Sequence, residues 1–138
     1  MTDKQAALEA NRAFYQAFAT GDYTAMDALW ARRAHAVCIH PGWPVIGGRD
    51  AVMQSWQAIL RSPPPVLCED TVCHVIGDVA VVTCTERIEE VSLSVTNIYA
   101  NEGGEWRMIH HHAGHNLDAL DEPDESTGNG SPGPGLIH

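Results

Sequence analysis

The chain has 138 residues, 44% of them hydrophobic, and a formal net charge of −10 at pH 7. This size and apolar content predict one globular domain whose core needs no disulfide or metal. No basic stripe and no apolar run of bilayer length occurs, so we predict neither a nucleic-acid nor a membrane partner. The chain opens without a secretion-signal pattern and its cysteines lack CxxC spacing, which favours the reducing cytoplasm.

Helices are predicted in the first half of the chain. Apolar residues recur at helical spacing from Ala7 to Phe18, and Gly21 suits the end of that helix. Asp22 suits the N-cap of a second, short helix. A short strand over Ala34–Pro41 and a glycine-rich loop then lead to a third helix, Arg49–Leu60.

Strands are predicted in the second half, where the apolar period changes to two. They cover Val66–Val75, Val79–Glu89, Val91–Ala100 and Glu105–Ala113, and form an antiparallel meander. This order of elements predicts an α+β domain over residues 1–117, with one sheet packed on three helices. Residues 118–138 are rich in acidic residues, glycine and proline, which predicts a tail that cannot fold alone.

The segment Ser94–Gly114 has the most informative pattern in the chain. Folded about a turn at Asn101–Gly104, it pairs Val95 with His110. Alternation then places one set of side chains on the face toward the helices: Leu93, Val95, Asn97, Tyr99, Trp106, Met108, His110 and His112. A mostly apolar face with a few convergent polar groups predicts a ligand pocket. The alternative is that these polar groups are hydrogen-bonded core residues or lie exposed at a strand end.

The sequence also resembles a known family. The order of elements, with HPGWPVIGGRDAV before the third helix and TNIYANEGGEWRMIHHHAG near the end, resembles the SnoaL-like branch of the nuclear-transport-factor-2-like superfamily. The resemblance covers residues 4–117 and implies a cone-shaped, curved antiparallel sheet closed by three N-terminal helices. It further implies a pocket inside the cone and a homodimer through the outer sheet face. The superfamily includes cyclases, isomerases, dehydratases and a kinase association domain, so the fold does not choose the function.

Carried over residue by residue, the resemblance implies a pocket built from most elements. The implied pocket residues are Tyr15, Trp30, His40, Trp43, Trp56, Asn97, Tyr99, His110 and His112. For the tryptophans, filling the core is the simpler alternative. The aspartate base of the family's cyclases and isomerases has no counterpart on the inner face of the hairpin. The facing of Asp70 is open, and Glu86 shares a face with Val82 and Cys84, although a strand-end salt bridge is the more common outcome.

Two functions from different classes follow. The first is an acid–base enzyme acting on a small, largely apolar carbonyl compound. In it His110 or His112 is the base, and Tyr99 or Asn97 donates a hydrogen bond to a developing oxyanion. The second is a module that binds a small ligand or a partner without chemistry.

A metal site is the third hypothesis and ranks last. His110 and His112 with His40 or His115 would supply imidazole ligands, but no third ligand has a distinctive spacing. No nucleotide-binding motif is present, and we predict neither a metal nor a cofactor.

The opposite face of the hairpin predicts a dimer interface. Its side chains are Ser94, Thr96, Ile98, Ala100, Arg107, Ile109, His111 and Ala113. Such a mixture of small, apolar and polar groups suits a two-fold contact. On this prediction His111 lies at the interface, while His110 and His112 point into the pocket. Burial there should lower the pKa of at least one of those two.

Overall fold

A computed structural model describes residues 1–117, and the predicted tail, residues 118–138, lies outside the described residues. The helices are α1 (Asp3–Thr20), α2 (Tyr23–Leu29) and α3 (Arg49–Leu60). The strands are β1 (Val37–Ile39), β2 (Ile46–Gly47), β3 (Leu67–Ile76), β4 (Val79–Ile88), β5 (Val91–Glu102) and β6 (Glu105–His115). The predicted α+β arrangement is therefore confirmed. Among the described residues, no helix is long and apolar enough to cross a membrane.

All six of these strands belong to one sheet, in the order β2-β1-β6-β5-β4-β3. The strands from β3 to β6 form the predicted antiparallel meander. The sheet is mixed rather than wholly antiparallel, because β1 runs parallel to β6 and pairs Cys38 with His111. The glycine-rich loop also contributes a short strand, β2, which was predicted as a loop.

The ends of α1 follow from its flanking residues. Thr2 and Gln5 form a capping box, in which each side chain accepts a hydrogen bond from the backbone N–H of the other. The helix ends at Gly21, whose backbone is left-handed with φ 68°. Asp22 follows directly and caps α2 by accepting from the N–H of Ala25 at 3.0 Å. The connection between the two helices is therefore short.

The core lies between the helices and one face of the sheet. The predicted apolar stripes of α1 and α3 supply its centre, where the Phe14 ring meets the rings of Tyr15 and Trp56 edge-on at 4.8 and 5.4 Å. From the sheet, Tyr99 and Met108 are completely buried against them. The inner face predicted for β5 is confirmed by the burial of Leu93, Val95, Asn97 and Tyr99.

The histidine triplet faces the opposite way from the prediction. The β5–β6 hairpin turns at Gly103–Gly104, and a β-bulge adds one residue to β6 after the pair Tyr99–Met108, so that Ile98 pairs with His110. Because each added residue reverses the facing of a strand, His111 points toward the helices and is 1% exposed. The predicted pairing of Val95 with His110 is wrong, since Val95 pairs with Ala113. The bulge also reverses the facing of all three histidines, so their predicted facing is wrong.

The Gly21 turn gives a test of the packing between α1 and the end of α3. A Cβ at Gly21 would lie 2.9 Å from the backbone oxygen of Leu60, whereas a Cβ at Gly77, also left-handed, would meet no atom within 4 Å. We expect Gly77→Ala to lower the free energy of unfolding by only about 1 to 2 kcal/mol, because alanine is strained in the left-handed conformation. Gly21→Ala should lower the free energy of unfolding by at least about 1 kcal/mol more, because the overpacked Cβ adds to that strain. Urea unfolding measures both free energies, and equal losses would contradict this packing.

Candidate functional site

Six buried polar side chains form a connected network, which we call the polar network, between α1 and the sheet. Its members are Asn11 and Tyr15 of α1, Glu86 of β4, Asn97 and Tyr99 of β5, and His111 of β6. Each of them is at most 9% exposed. Asn11 and Tyr15 are four residues apart and so share one face of the helix. Buried polar groups require hydrogen-bond partners, and this network supplies them.

Asn97 lies at the centre of the polar network. Its amide nitrogen donates to Asn11 Oδ1 at 3.0 Å and to the Tyr15 hydroxyl at 3.2 Å. Its amide oxygen is 2.6 Å from Nδ1 of His111. Since an amide oxygen can only accept, Nδ1 of His111 carries the proton, and the imidazole is held as one neutral tautomer. One side chain therefore joins α1, β5 and β6.

The hydroxyl of Tyr15 connects the network to a buried carboxylate. It donates to Glu86 Oε2 at 2.7 Å, and its oxygen lies 3.4 Å from the Cys84 thiol. Burial raises the pKa of Glu86 to about 7, although the hydrogen bond from Tyr15 opposes this. Burial, together with the charge of Glu86, raises the pKa of Tyr15 well above its ordinary value. At neutral pH the phenol of Tyr15 is therefore neutral, and the carboxyl group of Glu86 is close to the midpoint of its titration.

Burial has the opposite consequence for the histidine of the network. His111 is enclosed by the aromatic rings of Phe14 and Trp56, with ring centroids at 5.1 and 5.7 Å. Burial lowers the pKa of His111 to about 3, because a charged imidazolium loses its hydration there. His111 therefore remains neutral at physiological pH and acts in this site as a hydrogen-bond donor.

A cavity of about 490 Å³ lies between α1 and the N-terminal half of β3. This volume is in the range of sites for small molecules. Asn11 and Tyr15 line it together with Cys68 and Thr71, while Leu8 and Val66 supply apolar wall. Asn11 and Tyr15 therefore belong both to the cavity wall and to the polar network. They connect the buried Glu86 to a space that a ligand can enter.

His40 belongs to a separate, satisfied cluster in the core. Ser55 donates its hydroxyl proton to the carbonyl oxygen of Val52 at 2.6 Å, so its oxygen accepts from His40 Nε2 at 2.9 Å. The His40 ring lies against Trp43 and Trp56, each with a centroid distance of 4.9 Å. Burial lowers the pKa of His40 to about 4. This histidine does not line the cavity beside α1.

The predicted tryptophans fill the core or lie at the surface. Trp30 and Trp56 are completely buried, and neither lines the cavity. Trp43 is 45% exposed and covers His40. For these three residues, core filling and surface cover replace the predicted role as pocket lining.

The residues predicted as catalytic divide into two groups. Asn97 and Tyr99 lie in the polar network, behind the cavity wall rather than on it. His110 and His112 lie on the other face of the sheet, where His110 is half-buried and His112 is exposed. Their predicted inward orientation is wrong because of the bulge in β6. Among residues 1–117, no group of three side chains has the geometry of a metal site.

The sequence analysis missed Asn11 and the inward facing of His111, and it left the facing of Glu86 open. Glu86 alternates with Val82 and Cys84, and this pattern was a signal for its burial. Asn11 lies four residues before Tyr15 on the buried stripe of α1, which was a weaker signal. For His111 no local signal existed, because the bulge alone turns it inward.

The sequence model of the SnoaL-like domain family matches residues 7–115, which include all of the sheet and nearly all of the helical residues. Among solved structures, a candidate dehydratase of the NTF2-like family from Streptomyces avermitilis is 31% identical with a TM-score of 0.76, over 83% of this chain and 96% of that one. A candidate calcium/calmodulin-dependent protein kinase type II association domain from Thiobacillus denitrificans is 29% identical with a TM-score of 0.70, over 78% and 92% of the two chains.

Among curated proteins, the F-box protein SKIP8 of Arabidopsis thaliana is 25% identical over 113 residues, which are 79% of this chain. The chain spans 49% of the length of that protein, so it corresponds to about half of it.

The buried imidazole of His111 gives a pH test, with the exposed His74 as control. Its pKa is lowered on folding from 6.5 to about 3, so the unfolded state binds the proton more readily as the pH falls. Its contribution to stability is present above pH 6.5 and is lost progressively toward pH 3. Glu86, whose pKa is raised, acts in the opposite direction, since its ionisation destabilises the folded state as the pH rises from 4.5 to about 7.

We therefore expect His111→Gln to be less stable than the wild type at pH 7.5 and to lose less further stability on acidification to pH 4.5. His74→Gln removes an exposed imidazole of β3 and should reproduce the wild-type profile. Urea unfolding at several pH values in this range measures the three profiles. Parallel profiles for His111→Gln and the wild type would contradict a buried neutral His111.

Proposed function

The chain belongs to the SnoaL-like domain family, and on that premise we propose that it is an acid–base enzyme acting on a small, largely apolar carbonyl compound. One observation carries the proposal: Tyr15 lines the 490 Å³ cavity, and its hydroxyl donates to the buried Glu86 at 2.7 Å. The similarity to a candidate dehydratase supports the same class of reaction. Since His110 and His112 lie on the other face, Glu86 replaces them as the base.

The pair Tyr15–Glu86 transfers a proton in either direction. A proton leaving the α-carbon of the substrate moves to the Tyr15 oxygen while the phenol proton moves to Glu86 Oε2, and the reverse movement returns it. A free phenolate is avoided, in keeping with the raised pKa of Tyr15. The pKa of Glu86, about 7, suits this role because both protonation states are well populated at neutral pH.

Asn11 supplies the hydrogen bond to the oxygen that becomes negative. Its amide oxygen already accepts from Asn97 at 3.0 Å and from the Tyr99 hydroxyl at 2.7 Å. These two donors fix the oxygen end of the Asn11 amide, and Asn11 also lines the cavity. A donor held in place before the reaction stabilises a developing enolate without reorganisation. Asn97 and Tyr99 are thus positioning residues rather than oxyanion donors.

The alternative is a ligand-binding or association module without chemistry. It is supported by the similarity to a candidate kinase association domain. A buried carboxylate destabilises a protein when it ionises without a cationic partner, so a pure binding module has no need for Glu86 at this place. The two functions differ in whether a bound compound exchanges its α-hydrogens.

We also propose a homodimer through the outer face of the sheet. Small polar side chains of three strands, Thr83, Thr85, Ser94, Thr96 and His112, line an open depression of about 470 Å³ there. Beside it lie the half-buried Val81, Ile98 and His110. A surface of small, apolar and polar groups is suited to a self-complementary two-fold contact. His111, buried on the other face, takes no part in it.

Hydrogen exchange tests the proposed chemistry. Cyclohexanone, 2-tetralone and a 3-hydroxybutanoate ester are incubated with the protein in deuterium oxide, and NMR follows their α-hydrogens. We expect exchange above the buffer rate for at least one compound. Glu86→Gln and Tyr15→Phe should each reduce it about 100-fold or more, as expected for loss of a general base. Glu90→Gln, at an exposed turn position, is the matched control and should leave it unchanged.

Thermal shift assays with the same compounds separate the two functions. Binding without exchange in the wild type would contradict the enzyme and support the binding module. Equal exchange by Glu86→Gln and the wild type would contradict the role of Glu86.

Sedimentation tests the proposed dimer. Thr96→Arg places a long charged side chain in the centre of the outer face, and the buried charge should convert the dimer to a monomer at micromolar concentration. Gln57→Arg makes the same change on the exposed side of α3 and should leave the association unchanged. A monomeric wild type, or equal association of the two variants, would overturn this interface.

A further inference from the structure

Two thiols lie side by side on the inner face of the sheet, next to the cavity. Cys68 of β3 pairs directly with Glu86 of β4, and Cys84 is two residues before Glu86 on the same strand. Since side chains two residues apart share a face, Cys68, Cys84 and Glu86 all point to the same side. Cys68 is half-buried and lines the cavity, whereas Cys84 is only 7% exposed. One thiol is thus open to small molecules and the other lies behind it.

The contacts of the two thiols give them different properties. The Cys68 sulfur is 3.4 Å from the Thr71 hydroxyl, and the Cys84 sulfur is 3.4 Å from the Tyr15 hydroxyl. Because the single proton of Tyr15 goes to Glu86, Cys84 must be the donor to Tyr15. Cys84 therefore has a path for its proton through Tyr15 to Glu86.

The interaction between the two thiols lowers the pKa of Cys68 and raises that of Cys84. The single S–H of Cys84 can turn from Tyr15 to the Cys68 sulfur, where it lowers the pKa of Cys68 to about 7, while the same interaction and burial raise the pKa of Cys84. At neutral pH, Cys68 is partly thiolate and Cys84 is a thiol. The thiolate is the reactive form of cysteine, so Cys68 has the properties of an attacking thiol and Cys84 those of a resolving thiol.

We propose that Cys68 and Cys84 are an oxidisable pair that a hydroperoxide converts into an intrachain disulfide. The Cys68 thiolate attacks the distal peroxide oxygen and breaks the O–O bond, which gives a sulfenic acid and releases the alcohol, or water from hydrogen peroxide, after protonation. The Cys84 thiol then attacks the sulfenic sulfur. The S–S bond forms, the S–O bond breaks, and the hydroxyl leaves as water with the proton of Cys84. Two thiols are oxidised and one peroxide is reduced.

The backbone beside Cys68 provides the movement that the disulfide requires. Diagonal positions of a regular antiparallel pair are about 7–8 Å apart, and a disulfide needs Cα atoms at about 4.4–6.8 Å. Between Glu69 and Val72 the ladder is interrupted by a bulge, in which Asp70 has a left-handed φ of 57°. This bulge lies opposite Cys84 and directly follows Cys68. A local shift there brings the strands together without disturbing the rest of the sheet.

The other two cysteines serve as internal controls. Cys38 is completely buried and burial raises its pKa to about 12. Cys73 is 4% exposed, and burial raises its pKa as well. Both should react slowly. The inference rests on the shared face of the two thiols on neighbouring strands and on the cavity that Cys68 lines, and it does not depend on the proposed enzymatic activity.

The experiment treats the reduced protein with one equivalent of hydrogen peroxide at pH 7 and follows the intact mass. We expect the loss of two hydrogen atoms, reversed by dithiothreitol. Digestion with trypsin and a glutamyl endopeptidase should link the peptide 62–69, which holds Cys68, to the peptide 70–86, and fragmentation of the second peptide should place the link at Cys84 rather than at Cys73. Cys68 should react on the order of tenfold faster than Cys73, as expected from its larger thiolate fraction.

Single variants then assign the two roles. Cys84→Ser should stop at the sulfenic acid, which dimedone traps at Cys68, and Cys68→Ser should form no disulfide. Cys73→Ser should behave as the wild type. The proposal is overturned if dimedone labels Cys38 or Cys73 before Cys68, if the wild type also stops at the sulfenic acid, or if Cys68→Ser loses its thiols at the wild-type rate. Mapping of the wild-type peptides decides the question even where a variant does not fold.

Discussion

The hydrogen bonds of Asn97 are the interaction on which the rest of the site depends. This completely buried amide contacts Asn11 and Tyr15 on α1 and His111 on β6, while its own strand, β5, is the third of the meander. Leaving this buried amide unpaired would cost the fold roughly 1–3 kcal/mol of stability. Only one rotation of α1 against the sheet gives the amide its hydrogen-bond partners. That rotation brings the Tyr15 hydroxyl within hydrogen-bond distance of Glu86 and leaves Tyr15 at the cavity wall. Apolar packing alone would tolerate other rotations of the helix, because it has no direction.

The polar network holds two titratable groups, Glu86 and His111, whose pKa values burial shifts in opposite directions. Burial disfavours the charged form of both, so Glu86 retains its proton to a higher pH and His111 loses its proton at a lower one. Across weakly acidic pH the centre of the domain is therefore nearly uncharged. The carboxyl group ionises close to neutral pH, so the core acquires a charge there. Under the proposed function, the group that carries the chemistry is also the group that destabilises the fold.

Irregularities of two strands shape the surroundings of the site. The bulge in β6 turns His111 toward the helices and leaves His110 and His112 on the outer face. The bulge in β3 widens the ladder opposite Cys84 and brings the Thr71 hydroxyl to the Cys68 thiol. In both places one or two extra residues decide which side chains face the cavity side of the sheet. Bulges next to functional sites commonly have this effect.

Much of the fold was determined by the sequence itself, because its signals are local. The stripe of α1, the glycine at its end and the alternation along β5 each depend on residues close in the chain, and all agree with the structure. For the site, the same alternation correctly placed Asn97 and Tyr99 on the inner face. Only the tertiary structure decided which histidine is buried, because a bulge is a one-residue choice made by packing between strands. It also decided that Asn11 and Tyr15 meet Glu86 and that Cys68 meets Cys84, since these contacts join distant segments and no periodicity within one segment records them.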